Sequence, residues 1–282
     1  GASIVFNRSN TLTQGVDFGA VIAGSGGLVK LGGGSLILSG TNNYLGQTLI
    51  SSGTLQLGAG GAGGSLSGSG SIVVAGGASL MLNRSNTATQ GVDFGTSISG
   101  AGSVVQNGPG TLVLSGSNGF SGGFTMSSGN VRLQGTSGME LGGGSLTLNA
   151  GSLDFGSYSA YALSGLSGAG NLSLTSGTFV LTIGNGSNLS TTYGGAMSGA
   201  GGMSKAGTGT FILSGANTFT GPTSVMAGVL QVGSGGVTGS LSGTSPVSIA
   251  AGGTMSLTRS NAVVQGVDFG SLSGAGILMQ VG

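Results

Sequence analysis

Gly33-Gly34-Ser35-Leu36-Ile37-Leu38-Ser39-Gly40-Thr41-Asn42-Asn43-Tyr44 decides the fold, because it comes back. It returns at 109–120 as Pro-Gly-Thr-Leu-Val-Leu-Ser-Gly-Ser-Asn-Gly-Phe and at 208–219 as Thr-Gly-Thr-Phe-Ile-Leu-Ser-Gly-Ala-Asn-Thr-Phe. A short tetrad follows each copy: Thr54-Leu55-Gln56-Leu57, Asn130-Val131-Arg132-Leu133 and Val229-Leu230-Gln231-Val232. Leu55, Val131 and Leu230 share one slot, and Gln56, Arg132 and Gln231 share the next. A period of two is that of a strand with one dry face and one wet face. Gly and Ser interrupt the chain so often that an ordinary helix has no room.

A second motif interleaves with the first. Asn-Arg-Ser-Asn-Thr-Leu-Thr-Gln-Gly-Val-Asp-Phe-Gly at 7–19 recurs at 83–95 with one change, and at 258–270 with its Gln-Gly-Val-Asp-Phe-Gly end intact. A worn copy lies at 182–194. Copies one and two are 76 residues apart (83 − 7), as are copies three and four (258 − 182). The middle spacing is 99 (209 − 110), so 23 extra residues enter near 135–163. A solenoid keeps register by adding whole coils. On that reading 23 residues is one coil, 76 is three, and the chain holds about 11. The expected architecture is all-β: one parallel β-helix over 1–282, with units at 1–76, 77–175, 176–251 and a partial 252–282.

Composition supports this and excludes much else. Gly supplies 67 of 282 residues without the collagen period. Hydrophobic residues make up 38%, too many for a disordered linker. Six basic and five acidic residues leave a net charge of +1, so no basic patch for nucleic acid can form. No apolar run is long enough for a membrane helix. The absence of Cys fits a chain exported before folding.

Chemistry is thinly provided. Without His or Cys, triads, thiol nucleophiles and the usual transition-metal sites are unavailable. The expectation is no enzyme, no cofactor and no metal. Gly-rich stretches such as 58–64 look like phosphate loops but precede strands, not helices. Arg8/Asp17, Arg84/Asp93 and Arg259/Asp268 recur nine residues apart, and both charges vanish together in the worn copy, as Ile183 and Thr192. Joint loss points to a pair, within the chain or between molecules. Asn42, Asn118 and Asn217 share a corner position that could carry a ladder, as do Tyr44, Phe120 and Phe219. The inserted stretch holds Glu140, Asp154, Tyr158 and Tyr161, candidates for a ligand site where the repeat breaks.

At these residues the chain resembles a known family. Gly-Thr-Leu-x-Leu-Ser-Gly-x-Asn-x-aromatic, then Gly-x-Thr-x-Val, then Gly-x-Leu-x-Val, best seen at 207–233, resembles the autotransporter-associated β-strand repeat of bacterial passengers. The resemblance implies a right-handed β-helix, an extracellular or cell-surface location, and a part in adhesion or surface scaffolding. No segment here reads as a translocator barrel. The expected role is a surface rod: a fibre or stalk subunit, or a passenger, with its own copies as partners end to end or side by side. The alternative is an adhesin that grips glycans, host or abiotic surfaces through outward strands and the 135–163 insertion. The chain begins and ends mid-repeat, with Gly1 matching Gly77 and Gly282 matching Gly108, as expected for a piece of a longer rod or a stacking subunit.

Overall fold

A computed structural model describes residues 1–281; Gly282 lies outside the described residues. The described residues hold strands and turns and no helix. The strands stack in parallel, coil upon coil, as a β-solenoid of about 13 turns. The chain divides into two compact units, 1–144 with 153–156, and 145–152 with 157–282.

In the first unit each coil has three sides. One sheet stacks Ile4–Phe6, Leu28–Lys30, Thr48–Ile50, Ile72–Val74 and Ile98–Gly100. A second stacks Leu12–Thr13, Ser35–Leu38, Thr54–Leu57, Ser79–Leu82, Ser103–Gln106 and Phe124–Met126. The third side carries Thr41–Asn42 on Ser65–Leu66, and Ala88–Thr89, Thr111–Leu114 and Asn130–Leu133. The second unit repeats the scheme. One sheet runs from Ala160–Leu163 through Val180–Ile183, Gly202–Lys205, Thr223–Val225 and Val247–Ile249 to Leu272–Gly274. Another runs from Thr191–Tyr193 through Thr210–Leu213, Gly228–Val232 and Gly253–Leu257 to Ile277–Gln280.

The interior is built from the alternate positions. Leu36, Leu55, Leu80, Val104 and Phe124 form one inward column, each at most 1% exposed. Each such side chain contributes about 1.5–3 kcal/mol by leaving water. Gln56, Arg132 and Gln231 face outward from Thr54–Leu57, Asn130–Leu133 and Gly228–Val232.

The coil is smaller than the sequence suggested, and this corrects the coil count. Ile4 stacks on Leu28, Leu28 on Thr48 and Thr48 on Ile72, so three coils take 68 residues (72 − 4). Leu12, Leu36, Leu55 and Leu80 give the same 68 (80 − 12). The 76-residue repeat therefore exceeds three coils by eight residues, the length of one side. Ser35–Leu38 and its counterpart Thr111–Leu114 accordingly lie in different sheets. The second unit behaves alike: Leu181 and Leu257, again 76 apart, belong to different sheets. Sequence repetition and coil repetition are out of phase by one side, so each repeat turns the motif onto the next side. Dividing 76 by three overestimated the coil and gave 11 instead of about 13.

Candidate functional site

The repeated corner is where the chain concentrates its polar side chains. In copy two, Thr89 ends a strand and its carbonyl accepts hydrogen bonds from the amides of Val92 (3.2 Å) and Asp93 (2.8 Å). The turn projects Val92, which is 64% exposed; Val16 and Val267 stand at the same tip in copies one and four. Asp93 folds back. Its Oδ2 accepts from the Thr89 amide at 2.8 Å and its Oδ1 from Nη1 of Arg84 at 3.0 Å. Arg84 is buried and also donates to Asn86 Oδ1 (3.0 Å), Thr87 O (3.2 Å) and Gly64 O (3.3 Å). Gly64 belongs to the preceding coil, so one guanidinium ties two coils together.

The same geometry recurs at Arg259, which pairs with Asp268 and donates to Asn261 Oδ1 (3.0 Å) and Gly239 O (3.3 Å). Burial pushes the Asp268 carboxyl up, but the Val264 amide and Arg259 outweigh it and hold its pKa below the usual carboxylate value. The Gly-rich stretch 58–64 has its explanation here. A Cβ on Gly58 would lie 2.7 Å from Cγ of Arg84, and one on Gly233 2.7 Å from Cγ of Arg259. Both glycines also sit at φ 87°, where a side chain is strained. The glycines make room for an arginine stem.

Copy one differs. Arg8 is exposed and donates only to Asn10 Oδ1 at 3.1 Å, while Asp17 accepts the Thr13 amide at 2.7 Å. Among the described residues no ion pair joins them. In the worn copy Ile183 is buried in the core and Thr192 is exposed. Tyr193 replaces the phenylalanine, is fully buried, and donates its hydroxyl to Gly170 O; burial raises its pKa.

The corner asparagines do not form a ladder. Because the repeat turns by one side, Asn42 and Asn118 do not share an edge. Each bridges three coils. Asn118 Oδ1 accepts the Ile98 amide (2.8 Å) and Nδ2 donates to Glu140 O (2.8 Å). Asn42 accepts from Ile22 (2.9 Å) and donates to Ser65 O (3.3 Å); Asn217 accepts from Met197 (2.9 Å) and donates to Ser240 O (2.8 Å). All three are buried, as are Tyr44, Phe120 and Phe219. The Tyr44 hydroxyl meets Thr48, and burial pushes its pKa up to about 12 against that hydrogen bond.

Two sets of residues escaped the sequence reading. Gln14 and Gln90 close the asparagine corner by reciprocal amide pairs: Gln90 Nε2 donates to Asn118 Oδ1 (2.7 Å), and Asn118 Nδ2 to Gln90 Oε1 (3.2 Å). Their repetition at a fixed 28-residue offset from Asn42 and Asn118 was the available signal. Lys30 and Lys205 point inward and are almost fully buried. Lys30 donates to Gly32 O and Ser52 O (3.1 Å); Lys205 donates to Ala206 O, Gly207 O (2.8 Å) and Ala227 O (3.2 Å). Burial lowers the pKa of both. Gln106 occupies the equivalent slot in copy two and caps Gly108 O (2.9 Å) and Gly110 O (3.2 Å). The slot needs a long donor; a charge is optional.

Of the four residues weighed for ligand binding, two are inside. Glu140 is fully buried, with Oε1 accepting from the Ser137 amide (3.3 Å) and hydroxyl (3.1 Å). A Cβ on Gly135 would collide with that carboxylate. Tyr161 is 3% exposed and packs edge-on against Tyr158 at 5.5 Å. Asp154 is exposed and pairs with Arg132 at 3.6 Å. In the first unit a groove of about 560 Å³ is lined by Ile4, Phe18, Val21, Ile22, Tyr44 and neighbouring small residues. Among the described residues no helix is long and apolar enough to cross a membrane.

Comparison with known proteins places the repeats. Residues 28–57, 104–133 and 203–232 match the Passenger-associated-transport-repeat family, just under a third of the chain. Each match opens at the Lys30, Gln106 or Lys205 slot and contains the corner asparagine. The chain is also 45% identical over 74 residues to a protein described as "Adhesin BmaC autotransporter" from Brucella suis biovar 1 (strain 1330). That stretch is 26% of this chain and spans 2% of the relative's length. No solved structure matches. The solenoid is thus built in part from passenger-associated-transport repeats, of the autotransporter passenger type.

Proposed function

We propose that this chain is a length of surface-exposed passenger whose work is mechanical: it holds and spaces what lies beyond it, and its coils can dock on other copies. Passenger repeats set it at the bacterial surface, outside the cell. The observation that carries the mechanical reading is the corner itself. Arg84, Gln90, Asn118 and Lys205, polar groups of the kind that elsewhere do chemistry, are engaged in tying successive coils, and Asp93 in holding Arg84. On this reading the chain acts without catalysis. Electron microscopy and light scattering of the purified chain test self-assembly: particles that lengthen with concentration support it, and short isolated particles at every concentration remove it. A polysaccharide-degrading activity lost in Asp154→Asn would overturn the non-catalytic reading.

A second reading is favoured by the name of the relative, which is an adhesin. On it, outward strands bind glycans or host surfaces. Asp154 and Tyr158 retain exposed surface for this, whereas Glu140 and Tyr161 do not. Glycan-array binding that falls in Asp154→Ala or Tyr158→Ala supports it, and an array with no signal removes it.

A further inference from the structure

We infer that Asn185 is a site of spontaneous self-modification, converting to aspartate or isoaspartate in the folded protein. The chain contains three Asn-Gly pairs, at 107–108, 118–119 and 185–186. Asn-Gly is the dipeptide in which the next backbone nitrogen can most easily attack the side-chain amide, because glycine has no Cβ to obstruct it. The step balances within the chain and with water. The Gly186 nitrogen bonds to Asn185 Cγ, ammonia leaves with the departing amide nitrogen, and a cyclic imide forms. Water then opens the ring on either side, leaving a carboxylate.

The structure separates the three pairs. Gly108 is buried, donates its amide to Leu82 O at 3.1 Å, and is crowded by the Arg84 backbone. Asn118 is fully buried, with both side-chain atoms held by Gln90, Ile98 and Glu140. Asn185 is exposed, and among the described residues neither its side chain nor the Gly186 amide makes a hydrogen bond. Gly186 sits at φ 64°, and a Cβ built on it would meet nothing within 4 Å. The attacking nitrogen, the target carbon and the approach of water are all open at this one pair.

The conversion adds a negative charge to a chain whose net charge is +1, bringing it to zero (+1 − 1). It falls in the worn copy, where no Arg/Asp pair braces the corner, and the isoaspartate form lengthens the backbone there. The surface would thus carry a slow, irreversible record of age. The inference rests on the loop geometry alone and stands whatever the chain's partners are.

The test is to hold the folded chain in mildly alkaline buffer and map, by peptide mass spectrometry, the gain of one mass unit at each pair. Asn185 is expected to convert at least about tenfold faster than Asn107 and Asn118, whose protection is that of local opening. In concentrated urea the three rates should converge to within about twofold, since local protection is gone. Asn185→Gln should abolish the acidic species seen by ion exchange. Comparable rates at all three pairs in the folded chain, or an Asn185 rate no faster than Asn107, would overturn the inference.

Discussion

Two corners of this molecule solve the same problem with different means. At 83–95 the turn is closed by buried Arg84 paired with half-buried Asp93 and by Gln90 locked against Asn118. At 182–194 the equivalents are Ile183, Thr192 and Leu189, and Asn217 holds its coils without a glutamine. Both corners bury their asparagine and leave the stacking register intact. The difference sorts the residues. The asparagine is indispensable, because it satisfies an amide behind it and a carbonyl ahead of it. The ion pair and glutamine are reinforcement that one corner has and the other lacks.

The largest effect should come from the asparagines. Asn118→Ala would orphan the Ile98 amide and take one partner each from the Glu140 carbonyl and Gln90, a cost of about 3–5 kcal/mol; Asn217→Ala should cost about 2–4. Urea unfolding of the two variants measures the order. A greater loss at 217 would break the view that the glutamine adds dependence on Asn118.

The ion pair gives the next test. Asp93→Thr alone leaves a buried guanidinium without its counter-ion and should cost about 3 kcal/mol. Arg84→Ile with Asp93→Thr copies the worn corner and should cost less than the single change, because no charge is left uncompensated. If the double variant is the worse of the two, the worn corner owes its stability to something other than the loss of both charges.

The sequence made the stack and the pairing readable because both leave periodic traces. Alternation in Thr54-Leu55-Gln56-Leu57 showed which side faces in, and the joint loss at Ile183 and Thr192 tied Arg to Asp. It misled on the coil because repeat length and coil length were taken as commensurate. Eight residues of mismatch are invisible until backbone partners are known. Lys30 and Lys205 were missed for a related reason: a lysine on a strand reads as solvent-facing, and only the carbonyls around its Nζ show otherwise. Glu140, weighed as a ligand residue from its place in the insertion, is buried, which no periodicity in the sequence marked.

Tyr44 supplies a smaller test, in the pH dependence. Its folded pKa is about 12 against 10 in the unfolded chain, so the folded state holds its proton longer. That contribution is complete below pH 10 and is lost as pH rises through 12, about 3 kcal/mol in all. Tyr44→Phe, which copies Phe120 and Phe219, should weaken this alkaline loss, leaving the part due to the buried Tyr193. An unchanged alkaline midpoint would mean that Tyr44 ionises without cost.

The smallest effect separates donor from charge at the inward slot. Gln106 already does with a neutral amide what Lys30 and Lys205 do with an ammonium, so Lys30→Gln and Lys205→Gln should each shift stability by only about 1 kcal/mol near neutral pH. Their signature lies in the slope. With the folded lysine pKa lowered below 10.5, the unfolded chain binds more protons in the range beneath that value, so wild-type stability rises with pH there. The rise should be visible below pH 10, before the tyrosine loss begins, and should disappear in the Lys30→Gln/Lys205→Gln double variant. A slope that survives the double variant would place the titrating group elsewhere. A slope abolished together with a large fall in stability would mean that the charge, and not only the donor, holds these coils together.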